Sequence, residues 1–166
     1  MRSCSLIFAR PRGGSVKVDA GAVTVMESFR QLEPRDAEAG GVLLGRFIRG
    51  TEDIVIDEVT TPTWWDCQSR TSFRRRTWGH QRIIDARWST SGGTSLYLGE
   101  WHSHPEPTPS PSGVDLEDWK RRLRVDDFEG DTLLFLIAGQ HTTRAWEGTR
   151  SGARVAVKRL KEAKLR

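Results

Sequence analysis

Cysteine is scarce: the 166-residue chain has two, Cys4 and Cys67, far apart and in no C-x-x-C spacing. That excludes a disulfide framework and a thiolate zinc site, and leaves two ordinary reduced thiols. Long apolar runs are missing as well. No stretch approaches the roughly 18 consecutive apolar residues that a membrane span needs, and Met1 to Arg10 has too short an apolar core for a signal peptide. The expectation is a cytoplasmic protein with no membrane partner. No internal repeat occurs, and with 36% hydrophobic and 29% charged residues the composition excludes disorder and collagen-like chains. The length fits one domain, or one with a tail.

Positive charge is in excess, but only locally. Lys and Arg number 26 against 22 Asp and Glu, for a formal charge of +4 and a pI near 9.5. Residues 151–166 hold six bases (Arg154, Lys158, Arg159, Lys161, Lys164, Arg166) and one acid, Glu162, so this stretch carries +5 and the preceding 150 residues about −1. The chain divides accordingly into a near-neutral body, 1–150, and a basic segment, 151–166, read as a helix or a loose tail. A nucleic-acid partner would rest on that segment alone, and the near-neutral body argues against one.

Along the body, Ser5 to Ala9 and Ser15 to Val18 read as strands around the turn at Pro11 to Gly14. Asp19 to Gln31 reads as a helix with Val23, Met26 and Phe29 on one face and Asp19 as N-cap. Gly40 to Ile48 and Ile54 to Val59 form a core hairpin. The pattern weakens from Thr60 to Arg76. Thr77 to Arg87 is a helix with Trp78, Ile83 and Ile84 inward, and Ser89 to Gly93 is a loop. Thr94 to His104 is a strand, Pro105 to Pro111 is too proline-rich for either element, and Ser112 opens a helix to about Arg124. Thr132 to Ala138 pairs with Thr142 to Trp146. Without strict β-α-β alternation, the fold class is α+β, a curved mixed sheet flanked by helices.

The informative segment runs from Gly99 through His102-Ser-His104-Pro105 to Asp115. On a strand, the period of two puts His102 and His104 on one face, where two imidazoles can converge on one ion. The stiff proline-rich loop limits the entropy lost in returning Asp115 as a third ligand. Two histidines, a carboxylate and an open position make a catalytic zinc ligand set. Each half has a plainer use: H-x-H pairs arise by chance, and Ser112-Gly-Val-Asp115 matches a helix capping box.

His102-Ser-His104-Pro105, Ser112 and Asp115, together with Glu38-Ala-Gly-Gly41-Val-Leu-Leu-Gly45 upstream, resemble the JAMM motif of the JAB/MPN/Mov34 metallopeptidases. The resemblance spans Glu38 to Ala138 and implies a single MPN/JAB domain of cytidine-deaminase-like architecture over 1–150. It also implies one Zn²⁺ per chain on His102, His104 and Asp115, Glu38 as general base, and Ser112 as oxyanion donor. Tyr97 to Pro107, with Pro111-Ser112 and Asp115 to Trp119, look closest to the bacterial branch in anti-phage CBASS operons. There a peptidase deconjugates a CD-NTase, a cGAS-like nucleotidyltransferase, alongside a fused ubiquitin-activating/conjugating-like enzyme. The implied activity is that of a deubiquitinase-like isopeptidase. A JAB peptidase acting on a ubiquitin-like or sulfur-carrier protein, a non-catalytic MPN scaffold and a nucleic-acid binder are the alternatives.

From the residues alone, Glu100, Glu106 and Glu117 compete with Glu38 as the base. Glu100 shares a strand face with His102 and is also a candidate hydrogen-bond partner behind a ligand. His80 and His141 have no partner at metal spacing. Trp78, Trp88 and Trp146 read as core, and Trp101 and Trp119 as neighbours of the metal. Trp64 and Trp65 read as exposed, and with Arg74, Arg75 and Arg76, beside Arg70, they are candidate contacts for a substrate tail. In the resembled family that tail is commonly held as an added strand.

Overall fold

Short runs of β-branched and apolar residues become eleven strands among residues 4–163, the part of the chain that the computed structural model describes. In order they are β1 (Leu6–Ala9), β2 (Ser15–Val18), β3 (Gly40–Phe47), β4 (Ile54–Val59), β5 (Cys67–Ser69), β6 (Ser72–Arg74), β7 (Leu96–Ser103), β8 (Thr132–Ala138), β9 (Thr143–Ser151), β10 (Arg154–Arg159) and β11 (Lys161–Glu162). Three helices accompany them: α1 (Ala20–Ser28), α2 (Thr77–Thr90) and α3 (Gly113–Val125). Nine strands form one sheet, β10-β9-β8-β7-β3-β4-β2-β1-β11, and β5-β6 is a separate hairpin. The β2–β4 and β7–β8 pairs are parallel and the rest antiparallel, so the sheet is mixed.

The two edges of that sheet, β10 and β11, are separated in sequence only by Leu160. Neighbouring Cα atoms lie about 3.8 Å apart, so one edge must come round beside the other and the sheet is strongly curved. A buried ion pair, 2.9 Å from Arg10 Nε after β1 to Glu147 Oε2 on β9, ties the ends together. β8 is buried along its whole length. Its alternate side chains serve both faces: Leu134, Leu136 and Ala138 join the cluster under α1, and Leu133, Phe135 and Ile137 the cluster under α3.

The opening hairpin, the β3–β4 hairpin, β7, α3 and the β8–β9 pair follow the sequence reading, β9 running on to Ser151. Four features differ. The basic stretch is neither helix nor loose tail but β10 and β11 in the main sheet, with Leu160 buried; Lys164 and Arg166 lie outside the described residues. The weak segment before α2 contains the β5–β6 hairpin. Asp19 stands at the N-cap of α1 but makes no capping bond, because its carboxylate pairs with Lys17 at 2.8 Å. Trp78 and Trp88 are more than half exposed rather than core. His80 is the buried residue of α2, and two residues earlier on a helix is about 200° around the axis, so Trp78 faces outward. Trp146 is in the core as expected.

Two glycines of β3 allow its neighbour to lie close. A Cβ at Gly41 would stand 2.1 Å from the Thr60 carbonyl oxygen, and one at Gly45 1.9 Å from that of Val55. Any larger residue would push β4 and its continuation off β3.

Candidate active site

β7 ends at Ser103 with side chains alternating across the sheet. Ser103 points inward, its hydroxyl accepting the Ala39 N–H at 2.9 Å. His102 and His104 point the other way, their Nε2 atoms 3.0 Å apart. Glu38 enters just before β3, which pairs with β7 so that Gly40 lies opposite His102. The Glu38 backbone is gripped by the hairpin: its N–H donates to Ser69 O at 2.7 Å, and its carbonyl accepts Gln68 Nε2 at 3.0 Å. Glu38 is 3% exposed, and its carboxylate reaches to 3.3 Å from His104 Nε2 and 3.8 Å from His102 Nε2.

Asp115 arrives from the first turn of α3. The capping box is real: Asp115 N–H donates to Ser112 Oγ at 3.1 Å, and Ser112 N–H donates to Asp115 Oδ2 at 2.6 Å. The same carboxylate lies 3.3 Å from the Nε2 of both histidines. The plain and the chemical readings of this motif therefore coincide, since the cap aims the carboxylate into the histidine pair. A tetrahedral ion with bonds of about 2.0–2.1 Å spaces its donors about 3.3 Å apart, which the 3.0 and 3.3 Å separations here match. The donor set of two imidazoles and a carboxylate, with a second, buried carboxylate alongside, fits Zn²⁺.

The electrostatics favour a cation. Burial opposes a charged His104, but the hydrogen bonds and charges of Asp115 and Glu38 outweigh it and push the imidazole up to about 10. Burial likewise raises Asp115, yet the contacts from His102 and His104 hold its carboxyl well below the usual range. Trp119 lies beside His102, ring centroids 6.2 Å apart, and stacks on Phe135. Trp101 is buried beneath the strand pair and donates Nε1–H to Thr60 O.

Of the rival bases, Glu100 is committed: it accepts from Arg75 at 2.6 Å and from Arg122 at 2.8 Å. Its charge on a core strand is thus a bridge between the hairpin foot and α3. Arg122, which sequence reading missed, also binds Asp118 and Asp126, and this acid surround raises its pKa despite burial. Its position seven residues after Asp115, on the same helix face, was the available signal. Glu106 lies 3.8 Å from His104 Nδ1, and Glu117 is exposed and pairs with Lys120.

A groove of roughly 860 Å³ opens over the cluster, walled by Ser72 to Arg76 on one side and Ser112 to Arg122 on the other. Arg74 and Arg76 line it and are exposed; Arg75 is tied to Glu100, and Arg70 is occupied with the Glu33 and Pro34 carbonyls. Trp64 and Trp65 are exposed but line a separate groove with Trp78, Arg82 and Ile83. His80 is buried between Thr60 and Asp66, and His141 is exposed. Among the described residues no helix is long and apolar enough to cross a membrane.

This fold is that of a JAB-type domain. The family model for prokaryotic homologs of the JAB domain matches residues 24–149, and the chain belongs to that family. It is similar to the CD-NTase/cGAS isopeptidase of Vibrio cholerae, 34% identical over 84% of this chain and 86% of the relative, and to that of Escherichia coli, 33% identical over the same shares. With the Pseudomonas aeruginosa CD-NTase/cGAS isopeptidase it shares 46% identity over 59% of this chain and 63% of the relative, so the matched part spans under two thirds of that protein.

Proposed function

We propose that this chain is a zinc-dependent isopeptidase that hydrolyses the amide joining a conjugated protein's C-terminus to a target amine. The conjugated protein is a CD-NTase, attached by a ubiquitin-conjugating-like enzyme of a cytoplasmic anti-phage CBASS system. The observation that carries the reading is the convergence of His102, His104, Asp115 and Glu38 in one groove. The names of the relatives supply the substrate class.

His102, His104 and Asp115 would hold the ion. When bound, it supplies Lewis-acid polarisation of the scissile carbonyl and makes a water acidic enough to attack at neutral pH. Glu38 takes the proton of the attacking water on its buried carboxylate and returns it to the departing amine. Ser112 Oγ accepts the Asp115 N–H, so its own proton is free to donate to the oxyanion. Arg74 and Arg76 at the groove wall hold an acidic or extended tail, which adds as a strand along the hairpin; Trp64 and Trp65 meet the substrate farther out.

The test incubates the protein with a CD-NTase joined through its C-terminus to a reporter protein, with and without chelator. Cleavage after the CD-NTase C-terminus that stops on chelation and returns with Zn²⁺ is expected. Cleavage indifferent to chelator would overturn the metal, and cleavage of an unrelated ubiquitin-like fusion alone would overturn the substrate.

A further inference from the structure

The reaction above makes no use of a fully buried titratable residue, His80. Its Nδ1 lies 2.7 Å from Thr60 Oγ1 and its Nε2 2.8 Å from Asp66 Oδ2. A carboxylate only accepts, so Nε2 carries the ring proton and donates it to Asp66. Nδ1 is then bare and accepts the Thr60 hydroxyl proton, while Thr60 Oγ1 itself accepts the Val42 N–H at 2.8 Å. Every donor in this relay of Val42, Thr60, His80 and Asp66 has one acceptor. Burial keeps the imidazole below its ordinary pKa, in agreement with the neutral ring.

The ends of this relay matter. Thr60 is fixed to β3 through Val42 and to β7 through the Trp101 indole, next to His102. Asp66 accepts the Thr63 N–H at 2.7 Å with Oδ2 and the Arg76 N–H at 2.7 Å with Oδ1. Asp66 immediately precedes β5, and Arg76 follows β6 by two residues. Asp66 thus closes the feet of the hairpin, and His80 bolts those feet to the strands that carry the metal-ligating cluster. The far end of the hairpin is held separately, by Glu38 N–H on Ser69 O and by Gln31 Nε2 on Arg70 O. Loss of the foot clamp therefore leaves Glu38 anchored and Arg75 still paired with Glu100, while β6 between these ties, the groove wall carrying Ser72, Phe73 and Arg74, gains freedom to shift.

We propose that His80 is a positioning residue for the substrate: through Asp66 it sets where the hairpin wall stands over the groove, and so governs capture of the substrate tail rather than the hydrolytic step. The inference rests on the isopeptidase reading. The experiment compares His80→Ala and His80→Gln, whose amide oxygen and nitrogen can replace the two ring nitrogens. With the CD-NTase fusion, His80→Ala raises KM about tenfold with kcat within about twofold, and His80→Gln restores KM to within about threefold. Binding of a CD-NTase C-terminal peptide, measured in a Glu38→Gln background, weakens in parallel. Hydrogen exchange speeds up in residues 66–76 and not in β3 or β7.

A fall in kcat at unchanged KM, uniform exchange across the sheet, or full activity in folded His80→Ala would overturn the proposal. If His80→Ala does not fold, Asp66→Asn carries the same expectations. Should wild type cleave no conjugate, the isopeptidase reading fails, while the exchange and peptide-binding measurements still judge the clamp.

Discussion

Ser112 is the N-cap of α3 and the proposed oxyanion donor, and substitutions separate the two roles. As N-cap of α3 it accepts the Asp115 N–H from an exposed position; as oxyanion donor it would spend its own proton on the reaction. Ser112→Ala removes both. Loss of the cap costs about 1 kcal/mol, a fall of about 2–4 °C in midpoint for a chain of this size. Loss of an oxyanion donor costs about 10²–10³ in kcat, or about 3–4 kcal/mol. Ser112→Gly removes the donor but costs a cap only a few tenths of a kcal/mol, and Ser112→Thr keeps both roles. In none of the three is the Ser112 N–H bond to Asp115 Oδ2 lost, so zinc content by elemental analysis should stay near one. The expected outcome is a split: Gly melts close to wild type yet is as slow as Ala, and Thr is close to wild type in both. Activity recovering with stability in Ser112→Gly would refute the oxyanion role and leave Ser112 as a cap.

Other variants test other parts. Glu38→Gln should retain zinc and lose about 10²-fold or more in kcat, whereas Glu100→Gln, which loosens Arg75 and Arg122, should lose far less; a fully active Glu38→Ala beside a dead Glu100→Ala would show the base to be Glu100. Leu160→Ala should cost about 2–5 kcal/mol in urea unfolding, because Leu160 is buried where the sheet edges meet; a change below about 0.5 kcal/mol would contradict that seam. His80 is neutral when folded, burial lowering it against the pull of Asp66, with Arg75 and Glu100 the other charges bearing on it. The unfolded chain therefore takes up a proton that the folded chain refuses, so stability is full above the unfolded pKa of about 6.5 and declines as pH falls below it. His80→Gln should flatten that part of the stability–pH curve, and a wild-type-minus-variant difference constant from pH 7.5 to 5.5 would refute the buried neutral ring.

The cluster was legible in sequence because its parts are local: a two-residue strand period brings His102 and His104 together, and a helix cap three residues long delivers Asp115. Glu38 was legible only through the resemblance. Nothing in spacing says that a residue more than sixty positions upstream lies just before the neighbouring strand, and Glu100 sits closer in sequence. What sets Glu100 apart is its pair of arginines, one from the hairpin foot and one from α3, whose meeting is a tertiary fact. Trp78 and Trp88 were misread for a related reason. Size and apolarity favour burial, but α2 offers the sheet only a narrow face, and His80 with its two partners takes the buried place. The β5–β6 hairpin escaped notice because three-residue strands leave almost no periodicity to read.

The basic charge gathered near the end of the sequence has a use in the fold. β10 is an outer strand of the main sheet, with its second edge unpaired by any described strand. An unpaired edge is a template for another chain's strand, and lysine and arginine along it are a common safeguard. Arg154, Lys158 and Arg159 are exposed on β10, whereas Val155 and Val157 turn in against the α3 cluster. Arg154 and Lys158 are thus in the outward half of an alternating strand, with Arg159 exposed at its end, placed where edge-to-edge pairing would otherwise begin. It follows that deleting residues 151–166 is a poor probe of nucleic-acid binding: the deletion strips both sheet edges and the buried Leu160 together with the charge. Replacing Arg154 and Lys158 by glutamine removes charge while keeping both strands, and that comparison, made on protein shown to stay monodisperse, can attribute a salt-sensitive affinity to the charge.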